Sequence, residues 1–148
     1  MGVVALNTMR IFFFNQEDNL LETLDHMREH PLMWFTKKSV SQLYAYLSGY
    51  QQSCVNNDIE QDTVLKLTMF QGWQGIKYCC GSQVSPWIVR ILEMCDNDEE
   101  RAYDCFFEEW DEFCRLDLEK LKAELLDEEK RELIYHPKEY WVKRGWVK

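Results

Sequence analysis

Ser39 and Gln42 have the spacing of a capping box at the start of a long run with helical periodicity. In such a box, the serine hydroxyl accepts a hydrogen bond from the backbone N–H three residues later. The positions that follow place mostly apolar side chains on one stripe: Val40, Leu43, Tyr44, Leu47, Tyr50, Gln51 and Cys54. Asn56 and Asn57 are expected to end the run. The sequence therefore predicts a long helix with one stripe that other helices must cover.

Start and stop signals of further helices follow along the chain. The spacing of Leu20, Leu24 and Met27 predicts a helix over 16–29, which ends because Pro31 follows. Later helices are expected to begin at Asp62, Ser85-Pro86, Asp98 and Asp117. A chain of 148 residues, 46% of them hydrophobic, can bury one core without metals or disulfides. The predicted fold is all-α: a single compact domain over 1–148 with five or six helices.

The two ends of the chain differ from the helices between them. Ile11 to Phe14 has the character of a short strand or a buried apolar plug, and the plug is favoured because no partner strand is evident. Residues 137–148 form an aromatic, mildly basic tail that contains Tyr140, Trp141 and Trp146. This tail is a candidate arm across the acidic helices.

Acidic residues outnumber basic ones, 26 against 17, which gives a formal net charge of -9. A negative surface repels nucleic-acid phosphates and anionic membranes, and it attracts basic partners. Neither a nucleic-acid partner nor a membrane partner is therefore expected.

The six cysteines include no C-x-x-C pair and no cluster with zinc-finger spacing. The adjacent Cys79 and Cys80 are interpreted as small buried hydrophobes rather than as a redox site. Met1 to Phe14 lacks a basic start and a small-residue cleavage site, and it is too short to span a bilayer. The prediction is a cytoplasmic protein with reduced thiols and no cofactor.

The segment 93–132 is strongly acidic, with seventeen Asp or Glu against six Lys or Arg. Such a segment often forms only a solvated helix face that confers solubility. Helical spacing after Asp98 puts Ala102, Cys105, Phe106, Trp110 and Phe113 on one face. The nearby Tyr103, Phe107 and Trp110 favour an interface, because interfaces combine aromatic anchors with a charged rim. The predicted partner-binding residues are Asp104, Glu108, Trp110, Asp111 and Glu112.

His26, Glu29 and His30 spell H-x-x-E-H, which places two imidazoles on one helical face as in a group of zinc peptidases. A zinc site would need a third protein ligand and an open position for water. A structural role for the imidazoles at the negative end of the helix dipole is the favoured interpretation. No metal ligand and no catalytic residue are assigned, and the chain is predicted not to be an enzyme.

Motifs between residues 20 and 115 carry a family resemblance. They are His30-Pro31-x-Met33, Ser39-x-x-x-Leu43-x-x-x-Leu47-x-Gly49-Tyr50, Phe70-Gln71-x-Trp73, Ser85-x-Trp87, and Asp98-Glu99 with Ala102, Phe106, Phe107, Asp111, Glu112 and Phe113. This pattern resembles the immunity proteins that accompany bacterial contact-dependent growth inhibition and other polymorphic toxins. From the resemblance, Gly49 is expected to allow close helix packing and the aromatic positions to fill the core.

The resemblance implies that the chain binds the C-terminal effector domain of a cognate toxin, often a basic nuclease, and covers or distorts its active site. Acidic side chains would then lie where the phosphates of the nuclease substrate go. Two other hypotheses stay open. The chain is an acidic adaptor or nucleic-acid mimic with broader binding, or a zinc-dependent hydrolase that uses His26, Glu29 and His30.

Overall fold

The computed structural model describes residues 20–79, 86–126, 138–143 and 145–148. Within these ranges every regular element is a helix, which confirms the predicted all-α compact domain. The helices are α1 (Leu20–Glu29), α2 (Pro31–Trp34), α3 (Val40–Asn57), α4 (Gln61–Cys79), α5 (Trp87–Met94), α6 (Glu99–Cys114), α7 (Leu118–Leu126) and α8 (Lys138–Lys143). None of them has both the length and the apolar character that a bilayer crossing requires. The predicted plug at 11–14 lies outside the described residues.

The helix α3 begins at the predicted cap. The Ser39 hydroxyl accepts from the Gln42 N–H at 3.2 Å. The Gln42 side chain, however, pairs with Thr36, whose N–H it accepts at 3.0 Å and whose hydroxyl it donates to at 2.7 Å. The helix ends at Asn57, and Asp58 follows with a left-handed φ of 53°. The serine half of the capping box is therefore formed, whereas the Gln42 side chain holds the chain that enters the helix.

The other predicted helix starts have mixed outcomes. Asp98 caps α6 by accepting from the N–H groups of Glu100 and Arg101, and Asp117 accepts from the Lys120 N–H at the start of α7, each at 3.1 Å. Asp62 lies within the first turn of α4 rather than before it. Pro86 is the residue before α5 rather than its first residue, and Ser85 lies outside the described residues. The sequence thus predicted the described helix starts to within about one residue.

The core is built around Phe70 of α4. Five aromatic rings have their centroids between 5.2 and 6.1 Å from its ring, those of Trp73, Trp87, Phe106, Trp110 and Phe113. Most of these contacts are edge-to-face, the arrangement that the ring quadrupoles favour. Because the rings come from α4, α5 and α6, this cluster joins three successive helices.

The described part of the C-terminal tail packs against α4. Trp146 and Val147 are buried, and the Trp146 carbonyl accepts from the Trp73 indole at 3.0 Å. Lys120 of α7 lies over the Trp146 ring at 5.4 Å. Trp146 and Val147 of the aromatic tail therefore belong to the core, and Trp146 contacts both α4 and α7.

Gly49 does not serve the close packing that the resemblance implied. It is exposed on α3, and a Cβ atom at this position would meet nothing within 4 Å. The expectation of a close helix crossing at Gly49 is therefore wrong.

Glu99 joins the first turns of α3 and α6. Its carboxylate accepts from the Ser41 N–H at 2.9 Å and from the hydroxyls of Ser39 and Ser41. Burial opposes its charge, but these hydrogen bonds and the nearby Lys37 outweigh burial and lower the pKa of Glu99 below its usual value. The charged form of Glu99 therefore stabilises the fold.

Replacement of Glu99 by Gln is expected to lower the free energy of unfolding at pH 7 by about 2 kcal/mol, because charge-assisted hydrogen bonds are lost. Since the folded pKa is lowered, this stabilisation is complete above the unfolded carboxyl pKa and is lost as the pH falls through the folded pKa. The difference between the two proteins should therefore shrink below about pH 4.5 in urea titrations at several pH values. The exposed neighbour Glu100→Gln is the control and should show no such difference.

Candidate protein-binding face

The helix α6 has two sides of opposite character. At about 100° per residue, Asp104, Asp111 and Glu112 lie within about 60° of Glu108 around the helix. Asp104 and Glu108 are exposed, and Asp111 and Glu112 are half-buried. The structure thus brings the four predicted carboxylates onto one side of α6, which we call the acidic face.

Trp110, the fifth predicted contact residue, lies on the other side of α6. It is only 7% exposed, with Phe70 5.2 Å away and Lys66 over its ring at 5.4 Å. Tyr103 and Phe107 are buried as well. The prediction that Trp110 and its neighbours are exposed anchors is wrong, because their spacing aligns them with Ala102, Phe106 and Phe113 on the core side.

Three carboxylates of the acidic face are paired with cations of the same chain. Their partners are Lys38 for Asp104 at 2.7 Å, Arg28 for Asp111 at 2.8 Å and Lys77 for Glu112 at 2.5 Å. Glu108 has no ion pair among the residues that the structure describes. Ion pairs that are open to water contribute little energy, so Lys38 and Arg28 orient Asp104 and Asp111 without withdrawing them from a partner.

Glu109 belongs to a buried ion cluster that the sequence analysis missed. Both of its carboxylate oxygens accept from Lys77, at 3.0 and 3.1 Å, and Tyr78 donates a short hydrogen bond to it. The side chains of Lys77 and Glu109 are 16% and 9% exposed. Glu109 lies three residues after Phe106 and four before Phe113, so helical spacing already indicated the core side.

The ion cluster changes the protonation behaviour of its members. Burial alone would lower the pKa of Lys77, but its hydrogen bonds to Glu112, Tyr78 and Glu109 outweigh burial and raise it. Burial and the hydrogen bond to Glu109 raise the pKa of Tyr78 to about 12. Lys77 therefore stays charged and Tyr78 stays neutral near pH 7, and Lys77 holds Glu112 at the edge of the acidic face.

The two histidines of the H-x-x-E-H motif lie side by side, with ring centroids 5.0 Å apart. The Trp34 indole donates to Nδ1 of His26 at 2.8 Å, so this nitrogen is used within the fold. His30 is exposed, and its Nε2 lies 4.0 Å from a Glu29 oxygen. Among the described residues, no group of three His, Cys, Asp or Glu side chains is arranged to hold a metal ion.

A groove of about 280 Å³ lies between α3, α4 and α5. Tyr44, Phe70 and Trp87 line it together with the uncharged polar side chains of Ser48 and Gln51. The groove offers aromatic surface and hydrogen-bonding groups, whereas the acidic face offers charge. The two surfaces thus suit binding partners of different chemistry.

No known protein family, curated protein or solved structure matches this chain. The geometry and the charges of the acidic face are therefore the observations from which a function is proposed below.

Replacing Lys77 by Met is expected to destabilise the fold by about 3–5 kcal/mol, because the buried Glu109 carboxylate loses its cation. Replacing Glu109 by Leu is expected to cost less, because Lys77 keeps its ion pair with Glu112. The double variant Lys77→Met/Glu109→Leu should recover most of the loss caused by Lys77→Met. Urea unfolding of the four proteins gives the coupling energy. The control cycle Arg28→Met/Asp111→Leu removes an exposed pair and should give a coupling of at most about 1 kcal/mol. Equal coupling energies in the two cycles would contradict the claim that the buried ion pair matters more for stability than the exposed one.

Proposed function

We propose that this chain is an immunity protein, which binds the effector domain of a cognate toxin and neutralises it by covering its active site. The observation that supports the proposal is the acidic face, where Asp104, Glu108, Asp111 and Glu112 share one side of α6. The resemblance of the sequence motifs to immunity proteins agrees with this role.

Electrostatics supports a basic partner. The net charge of -9 attracts a positively charged protein over distances of about a Debye length, roughly 8–10 Å at ordinary salt. A nuclease that binds nucleic acid presents Lys and Arg side chains where substrate phosphates lie. Carboxylates on a rigid helix can occupy the same positions, so the proposed target is a basic nuclease domain.

The internal ion pairs prepare the acidic face for binding. Arg28 and Lys38 hold Asp111 and Asp104 in place before a partner arrives, which reduces the side-chain entropy lost on association. Incoming cations can share these carboxylates, because the exposed pairs are weak. Such charges accelerate association and add specificity more than they add affinity.

The proposal is tested by co-expressing the chain with the product of the gene immediately upstream in its native locus. A one-to-one complex with nanomolar affinity, measured by calorimetry, and loss of the partner's toxicity would support it. Weak binding to many basic proteins alike would favour the adaptor or mimic hypothesis. Stoichiometric zinc that is lost in both His26→Ala and His30→Ala would favour the hydrolase.

Glu108→Lys is the cleanest charge reversal on the acidic face, because Glu108 has no ion pair with the described residues. The association rate constant with the basic partner is expected to fall about tenfold at low salt, and this loss should fade as salt is added. Stopped-flow kinetics at several salt concentrations measures the effect. The matched control Glu119→Lys makes the same charge change at an exposed position of α7 and should have a much smaller effect. Equal rates for the two variants would refute a role of the acidic face.

A further inference from the structure

The short helix α2 presents two large apolar side chains to solvent. Leu32 is 71% exposed and Met33 is 38% exposed. Exposed apolar side chains that adjoin one another often mark protein interaction sites. We call this pair the apolar knob.

The apolar knob is held by its neighbours on both sides. Pro31 occupies the first position of α2, and the Phe35 N–H donates to the Pro31 carbonyl at 2.9 Å. Trp34 turns inward to donate to His26, and the Phe35 ring packs against Tyr103 with centroids 6.3 Å apart. Because the inward residues fix the backbone, the knob is ordered before binding, which lowers the entropy cost of association.

The segment that carries the knob is tied at both ends to the acidic face. Arg28, four residues before Leu32, pairs with Asp111, and Lys38, six residues after Leu32, pairs with Asp104. Asp104 and Asp111 are about two turns, roughly 10 Å, apart along α6. The two ion pairs therefore attach the chain on both sides of the knob to the helix that carries the carboxylates.

Two other exposed apolar residues, Val55 and Ile59, lack this placement. Val55 and Ile59 are similarly exposed, at 52% and 50%, but they lie at the C-terminal end of α3. The N-terminal end of α3 is bound to Glu99 of α6. More than a dozen helical residues, or roughly 20 Å, separate Val55 from that end. Ile59 thus provides a matched control for Leu32.

We propose that the apolar knob inserts into an apolar pocket on the basic partner, and that Lys and Arg side chains edge this pocket and meet the acidic face. This inference rests on the proposed function, and it identifies the apolar side chains at the centre of the proposed interface with the toxin. Protein interfaces commonly have an apolar centre inside a charged rim. The knob supplies the apolar centre that Trp110, buried in the core, does not, and the carboxylates supply the rim.

The substitution Leu32→Glu distinguishes binding through the apolar knob from binding through the charge of the acidic face. It adds a carboxylate beside the face, so electrostatic attraction alone would make a basic partner bind as tightly or more tightly. Loss of an apolar anchor instead predicts a dissociation constant about tenfold higher, with faster dissociation. Calorimetry and dissociation kinetics with the co-expressed partner distinguish the two, and Ile59→Glu is expected to bind like the unaltered protein.

Each outcome decides one of the two proposals. If the unaltered chain forms no complex, the proposed function fails and the knob fails with it. If the complex forms and Leu32→Glu binds like Ile59→Glu, the proposed role of the apolar knob in binding is refuted, while the proposed function stands. A thermal melt identifies any folding defect. If Leu32→Glu has one, Leu32→Ala is compared with Ile59→Ala, and equal affinities of that pair overturn the knob.

Discussion

The arrangement of this protein depends on the burial of Phe70 among aromatic rings of three helices. Rings from α4, α5 and α6 enclose it, so the aromatic side of α6 is fixed toward the core. A helix that buries one side must expose the other. The orientation of Asp104 and Glu108 toward solvent is therefore a consequence of packing on the opposite side of the same helix.

Charge is distributed in two layers around α6. Lys77, Glu109 and Tyr78 form a largely buried cluster in which a lost partner would be costly. Arg28 and Lys38 form exposed pairs that contribute little energy but position the carboxylates. Stability thus depends on the inner layer, while the outer layer is available for exchange with another molecule.

The sequence predicted the features that depend on local geometry. The caps Ser39, Asp98 and Asp117 could be identified because a cap needs only its own turn. The exposure of Trp110 was predicted wrongly, and the burial of Glu109 was not predicted, because the acidic composition of the segment was weighed above helical spacing. The exposure of Leu32 depends on where Trp34 and Phe35 find partners across the fold, which no local pattern specifies.

An acidic face alone leaves a problem of specificity, since any basic protein is attracted to it. Attraction of this kind governs how fast two molecules meet, whereas burial of an apolar anchor governs how long they stay together. The ion pairs of Arg28 and Lys38 attach the chain on both sides of the short helix α2 to the carboxylates. In the proposed interface, the same two contacts that orient the charges therefore also place Leu32 where it can distinguish one basic partner from another.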